Sequence, residues 1–275
     1  MKRIILLTCL CSALMACGEV EKKAEAKLQA AREAFERGDY NEAKRQIDSI
    51  KVLYPKAFDT RRAGIALMQD VELAEQEKTL TYLDSLMQQK EQELDQLRPR
   101  YTFEKDEEYQ QIGNYLHPSQ VIEKNLHRSF LRFMVNEQGV MNMTSIYCGP
   151  RNIHHTAVKV TAPDGSFAET PTAKDCYETS DLGEQIEKAD FKMGNDGNVM
   201  GFLYLNRDKE IRVDYLGERP YSFRMSAADR QAVAAVYELS QLLSSMSQIR
   251  KEQEEARLKK EFVTRKKAER EAKNQ

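Results

Sequence analysis

Residues 73–97 read LAEQEKTLTYLDSLMQQKEQELDQL. Leu73, Leu80, Leu83, Met87, Leu94 and Leu97 fall on alternating steps of three and four, with Gln76 and Lys90 filling the gaps. That spacing holds an apolar stripe on one side of a helix and predicts a coiled-coil-like seam. Upstream to Asp59 only Gly64 opposes a helix, and Pro99 stops it. A helix of ~40 residues at 1.5 Å per residue reaches ~60 Å. The stripe returns far downstream at Leu239, Leu242, Met246 and Ile249. Just before it, Ser226 with Asp229 three residues on reads as a helix start. Two such stripes bury each other in one of two ways: as an antiparallel pair within one chain, or in a parallel homodimer.

Between the stripes the period changes from 3.6 to 2. HRSFLRFMV, GVMNMTSIYC, HTAVKVTA, NVMGFLYLN and EIRVDYL are short, β-branched or aromatic, and partly alternating. Turn residues separate them at Asn136-Glu137-Gln138-Gly139, Pro163-Asp164-Gly165, Gly194-Asn195-Asp196-Gly197 and Asn206-Arg207-Asp208. Val158 and Val160 alternate with Lys159 and Thr161, which predicts antiparallel strands with one wet face. Gly194 to Asn198 reads as a hairpin turn, because it lacks the alternating oxygens and closing Glu of a calcium loop.

Ahead of the first stripe, AKLQAAREAFERGDYNEAKRQIDSIKVLYPK places Ala30, Ala31 and Ala34 on one helix and Gly38-Asp39-Tyr40 at a turn. Ala43, Ile47 and Ile50 follow on a second helix, and Pro55 ends the unit. These residues resemble a single tetratricopeptide repeat, in which small residues let two helices approach closely. The resemblance implies a helical hairpin; one unit does not make a solenoid, because repeats need stacked neighbours.

At the start, Lys2 and Arg3 precede an apolar run from Ile4 to Leu14, eleven residues long. Spanning a bilayer takes about 20, so the run has the length of a signal-peptide core. It ends in Leu14-Met15-Ala16-Cys17, which resembles a bacterial lipobox. The resemblance implies that the Cys17 thiol takes up a diacylglyceryl group, that cleavage falls after Ala16, and that the new amine is acylated. Several acyl chains give stable anchoring where one gives marginal binding. Gly18 is not the Asp that retains many such proteins at the inner membrane, so the resemblance points to an outer-membrane lipoprotein, periplasm-facing or at the cell surface.

Loss of Lys2 and Arg3 with the leader takes the formal balance from −2 to −4. There is no basic excess of the kind that binds nucleic acid. From Arg250 the chain carries ten basic and six acidic residues, a pattern that reads as a solvated helix end. After cleavage Cys148 and Cys176 are the two thiols left in an oxidising compartment, and they are the pair available for a disulfide. With His154 and His155 they could be assembled into a Cys2His2 set, but no C-x2-C is present and adjacent histidines on a strand face opposite ways; no metal ligand set and no cofactor is assigned. Motifs for nucleophilic, zinc-protease and phosphate-loop chemistry are missing, so no catalytic residue is assigned. Tyr101, Phe103, Tyr109 and Tyr115 read as packing at a helix–sheet junction.

The expected fold class is α+β: an N-terminal repeat-like helical hairpin, long helices forming an antiparallel coiled-coil-like pair, and a small antiparallel β domain inserted between them. In segments this is a leader (1–16), a tether (17–26), the hairpin (27–57), a long helix (58–98), the β domain (101–225) and a C-terminal helix with a charged tail (226–275). The expected role is that of a lipid-anchored envelope protein acting as a structural or interaction module. It would contact the membrane through its anchor and engage an envelope protein partner. A ligand- or glycan-binding β domain is the alternative.

Overall fold

The computed structural model describes residues 2–174 and 176–273, with side-chain surroundings from residue 19 onward. The fold is α+β, with antiparallel sheets throughout. The chain divides into two compact units, Met1–Ser85 with Lys251–Gln275, and Leu86–Arg250. No helix among the described residues is long and apolar enough to cross a membrane.

In the first unit, α1 (Lys2–Glu36) and α2 (Tyr40–Leu53) form a helical hairpin; residues 17–26, expected as a tether, lie within α1. Gly38 takes φ +75 at the turn, a conformation that favours glycine. Asp39 caps α2 by accepting the Glu42 N–H. Ala31, Ala34, Ala43 and Ile47 are buried against Val71 of α3 (Phe58–Leu97). Small side chains at these positions let the helices close without a gap. The last helix, α5 (Ala227–Lys273), meets α3 within this unit. Gln253 Nε2 donates to Asp84 at 2.7 Å, Lys260 pairs with Glu77 at 3.3 Å and Lys267 with Asp70 at 2.7 Å. The residue numbers fall on one helix as they rise on the other, so these segments run antiparallel. Leu83, Ala256 and Val263 are buried along them.

In the second unit a six-stranded sheet takes the order β1-β2-β3-β4-β8-β7 and a four-stranded sheet the order β10-β9-β5-β6. The first comprises β1 (Thr102–Glu104), β2 (Asn114–Leu116), β3 (Phe130–Asn136), β4 (Met141–Gly149), β7 (Cys176–Asp181) and β8 (Glu184–Lys192). The second comprises β5 (Ala157–Thr161), β6 (Phe167–Glu169), β9 (Arg212–Leu216) and β10 (Tyr221–Arg224). Gly139, at φ +84 in the β3–β4 turn, sits so close to α5 that a Cβ there would lie 2.2 Å from the Ser244 nitrogen. Ser226 caps α5, accepting the Asp229 N–H at 3.1 Å. Leu182 (φ +48) and Gly183 (φ +85) form a two-residue turn of the I′ kind between β7 and β8.

NVMGFLYLN, expected as a strand, is instead the helix α4 (Val199–Leu205). A short run buried at Val199, Met200 and Leu203 satisfies either period. Local capping decides it: the buried Asp196 carboxylate accepts the Gly194 N–H at 3.2 Å and the Met200 N–H at 2.8 Å. Gly194 to Asn198 therefore leads β8 into a helix and is not a hairpin turn.

Candidate functional site

The two sheets of the second unit are fastened together by side chains distant in sequence. Ser145 lies on β4, opposite Ala189 of β8. Glu187, two residues back along β8, pairs in register with Tyr147. His155 stands at the crossover that carries the chain from the first sheet into β5 of the second. Its Nδ1 lies 2.8 Å from Glu187 Oε2, and its Nε2 lies 2.8 Å from Ser145 Oγ. The carboxylate can only accept, so Nδ1 carries the proton. In the neutral ring Nε2 then accepts from the Ser145 hydroxyl. This is the proton arrangement of a Ser-His-acid triad.

Its setting differs from that of a working triad. Ser145 is 0% exposed, and His155 and Glu187 are 1% exposed each. The His155 ring stacks on Tyr215 of β9, with centroids 4.6 Å apart and planes 12° apart. The Tyr215 hydroxyl donates to the Phe130 carbonyl at 2.7 Å and the Ile146 carbonyl at 3.1 Å, tying β9 to β3 and β4. Ser145 Oγ also lies 3.3 Å from the Ala189 carbonyl. With the hydroxyl fully buried, an acyl substrate has no path to it, so what the arrangement does is cross-link two sheets in the interior.

Glu187 is the anchor of the network. Its Oε1 accepts the N–H groups of Ile153 (2.6 Å) and His154 (2.9 Å), and its Oε2 accepts the N–H of His155 (3.0 Å) and the His155 ring. His154, at φ +52, bends the backbone so that three successive N–H groups point at one carboxylate. Such a concavity is a nest for an anion. Burial pushes the Glu187 carboxyl upward, but the backbone N–H groups and the His155 ring outweigh it, so it sits below the usual carboxylate range.

His154, Glu178 and Glu187 bring potential ligand atoms within 4.8 Å of one another. Glu178 and Glu187 each offer a carboxylate, and His154 Nδ1 lies 2.8 Å from Glu178 Oε1. The four hydrogen bonds to Glu187 occupy its four lone-pair positions, so a metal would have to displace the nest. The donor set does not fit a metal. His154 pairs instead with Glu178, and that hydrogen bond raises its pKa above the usual imidazole value.

The bridge expected between Cys148 and Cys176 is not formed. Cys148 pairs with Ile186 on one edge of β8, and Cys176 pairs with Ala189 on the other edge. A whole strand separates them, at roughly 5 Å per strand spacing, with a further offset of three residues at ~3.3 Å each. A disulfide needs Cα atoms within about 7 Å. Cys148 Sγ donates to Glu184 at 3.3 Å, and Cys176 Sγ lies 3.5 Å from the His155 carbonyl. Burial, then Glu184, pushes the Cys148 thiol up to about 11. His154 and His155 part company, one toward Glu178 and one into the core. The Cys17 side chain, assigned as the lipidation site, lies outside the described side chains. Tyr101 donates to the Ala235 carbonyl of α5 at 2.8 Å, and Phe103 packs on Tyr115 at 4.8 Å between centroids.

No protein-family model, curated protein or solved structure matches the chain.

Proposed function

We propose that this chain is a lipid-anchored protein of the bacterial cell envelope that works as an interaction module, with its sheet unit inserted in sequence between two long helices that pair antiparallel. The observation that carries the reading is the leader ending in Leu14-Met15-Ala16-Cys17. A non-catalytic role is supported by the enclosure of Ser145 and His155, whose chemistry is spent on joining two sheets. The tetratricopeptide-like hairpin and the paired seams supply extended helical surface of the kind that engages other proteins.

The direct test is mass spectrometry of the mature N-terminus. An acylated Cys17 is expected, and Cys17→Ser is expected to leave an uncleaved precursor. A free N-terminus at another residue overturns the anchor. Crosslinking in intact membranes followed by capture of the chain then tests for an envelope protein partner.

The second reading, a ligand-binding sheet unit, draws on one cleft of about 690 Å³ between the 171–174 segment and the end of β8. Lys174, Asp190, Lys192 and Asn195 line it, a polar set suited to a hydroxylated or anionic small molecule. Saturable binding of a glycan that Lys192→Glu abolishes would favour this reading.

A further inference from the structure

The turn between α2 and α3 exposes three large apolar side chains close together in sequence: Val52 (74% exposed), Leu53 (58%) and Phe58 (67%). Isolated exposed apolar residues are ordinary, but a cluster marks a surface that something covers. Its place in the fold says what. Thr60, beside this turn, donates both its N–H (3.1 Å) and its hydroxyl (2.6 Å) to Glu21 of α1. Ala24 and Leu28 of α1 pack against Ile50 and Ala57. The α2–α3 turn is therefore held at the level of Glu21, and Cys17 lies one helical turn beyond, ~6 Å along α1 at 1.5 Å per residue.

We propose that this end of the hairpin seats in the membrane interface, with Val52, Leu53 and Phe58 entering the boundary of headgroups and acyl chains. The proposal rests on the reading of Cys17 as acylated. The charges around the turn fit a surface of anionic lipid. Lys51, Lys56, Arg61 and Arg62 flank it in sequence, and Lys22 and Lys23 follow Glu21 on α1. Glu19 pairs with Lys23 at 2.8 Å and Asp59 with Arg62 at 3.8 Å, and Glu21 accepts from Thr60, which leaves Lys22, Lys51, Lys56 and Arg61 in a slight excess over Glu21, Glu25 and Asp48. Arg61 also donates to the Pro55 carbonyl at 2.7 Å, which holds the turn in shape. An apolar tip flanked by basic residues next to acyl chains has the chemistry of an interfacial contact. Seating would add a second point of attachment to the lipid anchor and restrict the swing of the hairpin about it.

The chain contains no tryptophan, so Phe58→Trp introduces a single indole at the tip. The test uses the full mature protein carrying this substitution, in vesicles of phosphatidylethanolamine and phosphatidylglycerol with and without brominated acyl chains. The expected result is a blue-shifted emission that brominated lipid lowers about twofold, as for a group ~5–10 Å into the interface. Tyr82→Trp, on an exposed position of the same helix and ~36 Å away along it, is expected to show neither effect. Acylation is read by mass on the same preparation. An unquenched Phe58→Trp indole on acylated protein overturns the seating and leaves the anchor standing. An absent acyl mass on Cys17 removes the anchor and the seating with it. A blue shift without vesicles that grows with protein concentration shows a second copy on the tip and overturns the proposal.

Discussion

Replacing Glu187 by Gln tests whether the nest holds the two sheets together. The carboxylate accepts four hydrogen bonds from within the core. An amide of the same shape offers one oxygen, so two donors keep a partner and two face an NH2 group. Each buried donor left unsatisfied costs about 1–3 kcal/mol, so the expected loss for two is about 2–6 kcal/mol. The assay is urea unfolding followed by near-UV circular dichroism, where the tyrosines report. The midpoint should fall with the slope unchanged, since the surface exposed on unfolding stays the same. The acid limb gives an independent reading. Glu187 has a folded pKa below its usual value of 4.5, so the unfolded chain binds the proton more readily. Its contribution is fully present above 4.5 and is lost as pH falls through the lowered folded value. Glu187→Gln should remove that part of the pH dependence. A variant within about 1 kcal/mol of wild type, below the cost of a single orphaned donor, refutes the reasoning. So does an acid limb parallel to that of wild type.

Leu182→Asn should raise the stability of the β7–β8 hairpin by about 1 kcal/mol, because Leu at φ +48 carries left-handed strain that Asn tolerates; thermal unfolding measures it. Asp229→Ala should destabilise by about 2–3 kcal/mol, because the buried carboxylate accepts from Arg128 (2.5 Å), Gln120 (3.0 Å) and Ser226 (2.6 Å) while the partly exposed Arg128 it leaves behind stays hydrated; denaturant midpoints should place Asp229→Asn between it and wild type. Both Cys148 and Cys176 should alkylate in denaturant without prior reduction, as peptide mapping will show. In the native protein Cys148, with its thiol near 11, should react slowly at pH 8, because the thiolate is the nucleophile.

The long helices α3 and α5 were legible because their apolar stripes repeat over many turns. Leu83, Met87 and Leu94 on one stripe, and Leu239, Met246 and Ile249 on the other, are all buried. Strands β3, β4, β5 and β9 were legible from branched and aromatic residues between turn signals. Strand β7 was not, because it is an edge strand whose side chains are mostly exposed, and CYETSD carries no apolar face to announce it. Helix α4 was misread because seven residues are too few for period to separate helix from strand, and the Asp196 cap that settles the matter looks like one more turn residue. The Ser145, His155 and Glu187 network left no local trace. Its members come from β4, a crossover and β8, and strand register alone brings them together. The one available hint was His154-His155 beside a strand, where two adjacent imidazoles must find different partners.

The position of β8 between β4 and β7 has a consequence for the order in which the chain assembles. The β3–β4 hairpin closes over a short turn, but the other edge of β4 waits for residues much further along: Asn142 pairs with Lys192 and Cys148 with Ile186. Closing so long a loop is slow relative to forming helices or hairpins. Until β8 arrives, β4 presents an open row of backbone donors and acceptors beside Met141, Met143 and Tyr147, and such an edge invites pairing with another chain. On the export proposed above, this interval would fall after the chain has crossed the membrane. The vulnerable species is then a late intermediate, and substitutions that delay β8 should lower the yield of protein without weakening what finally folds.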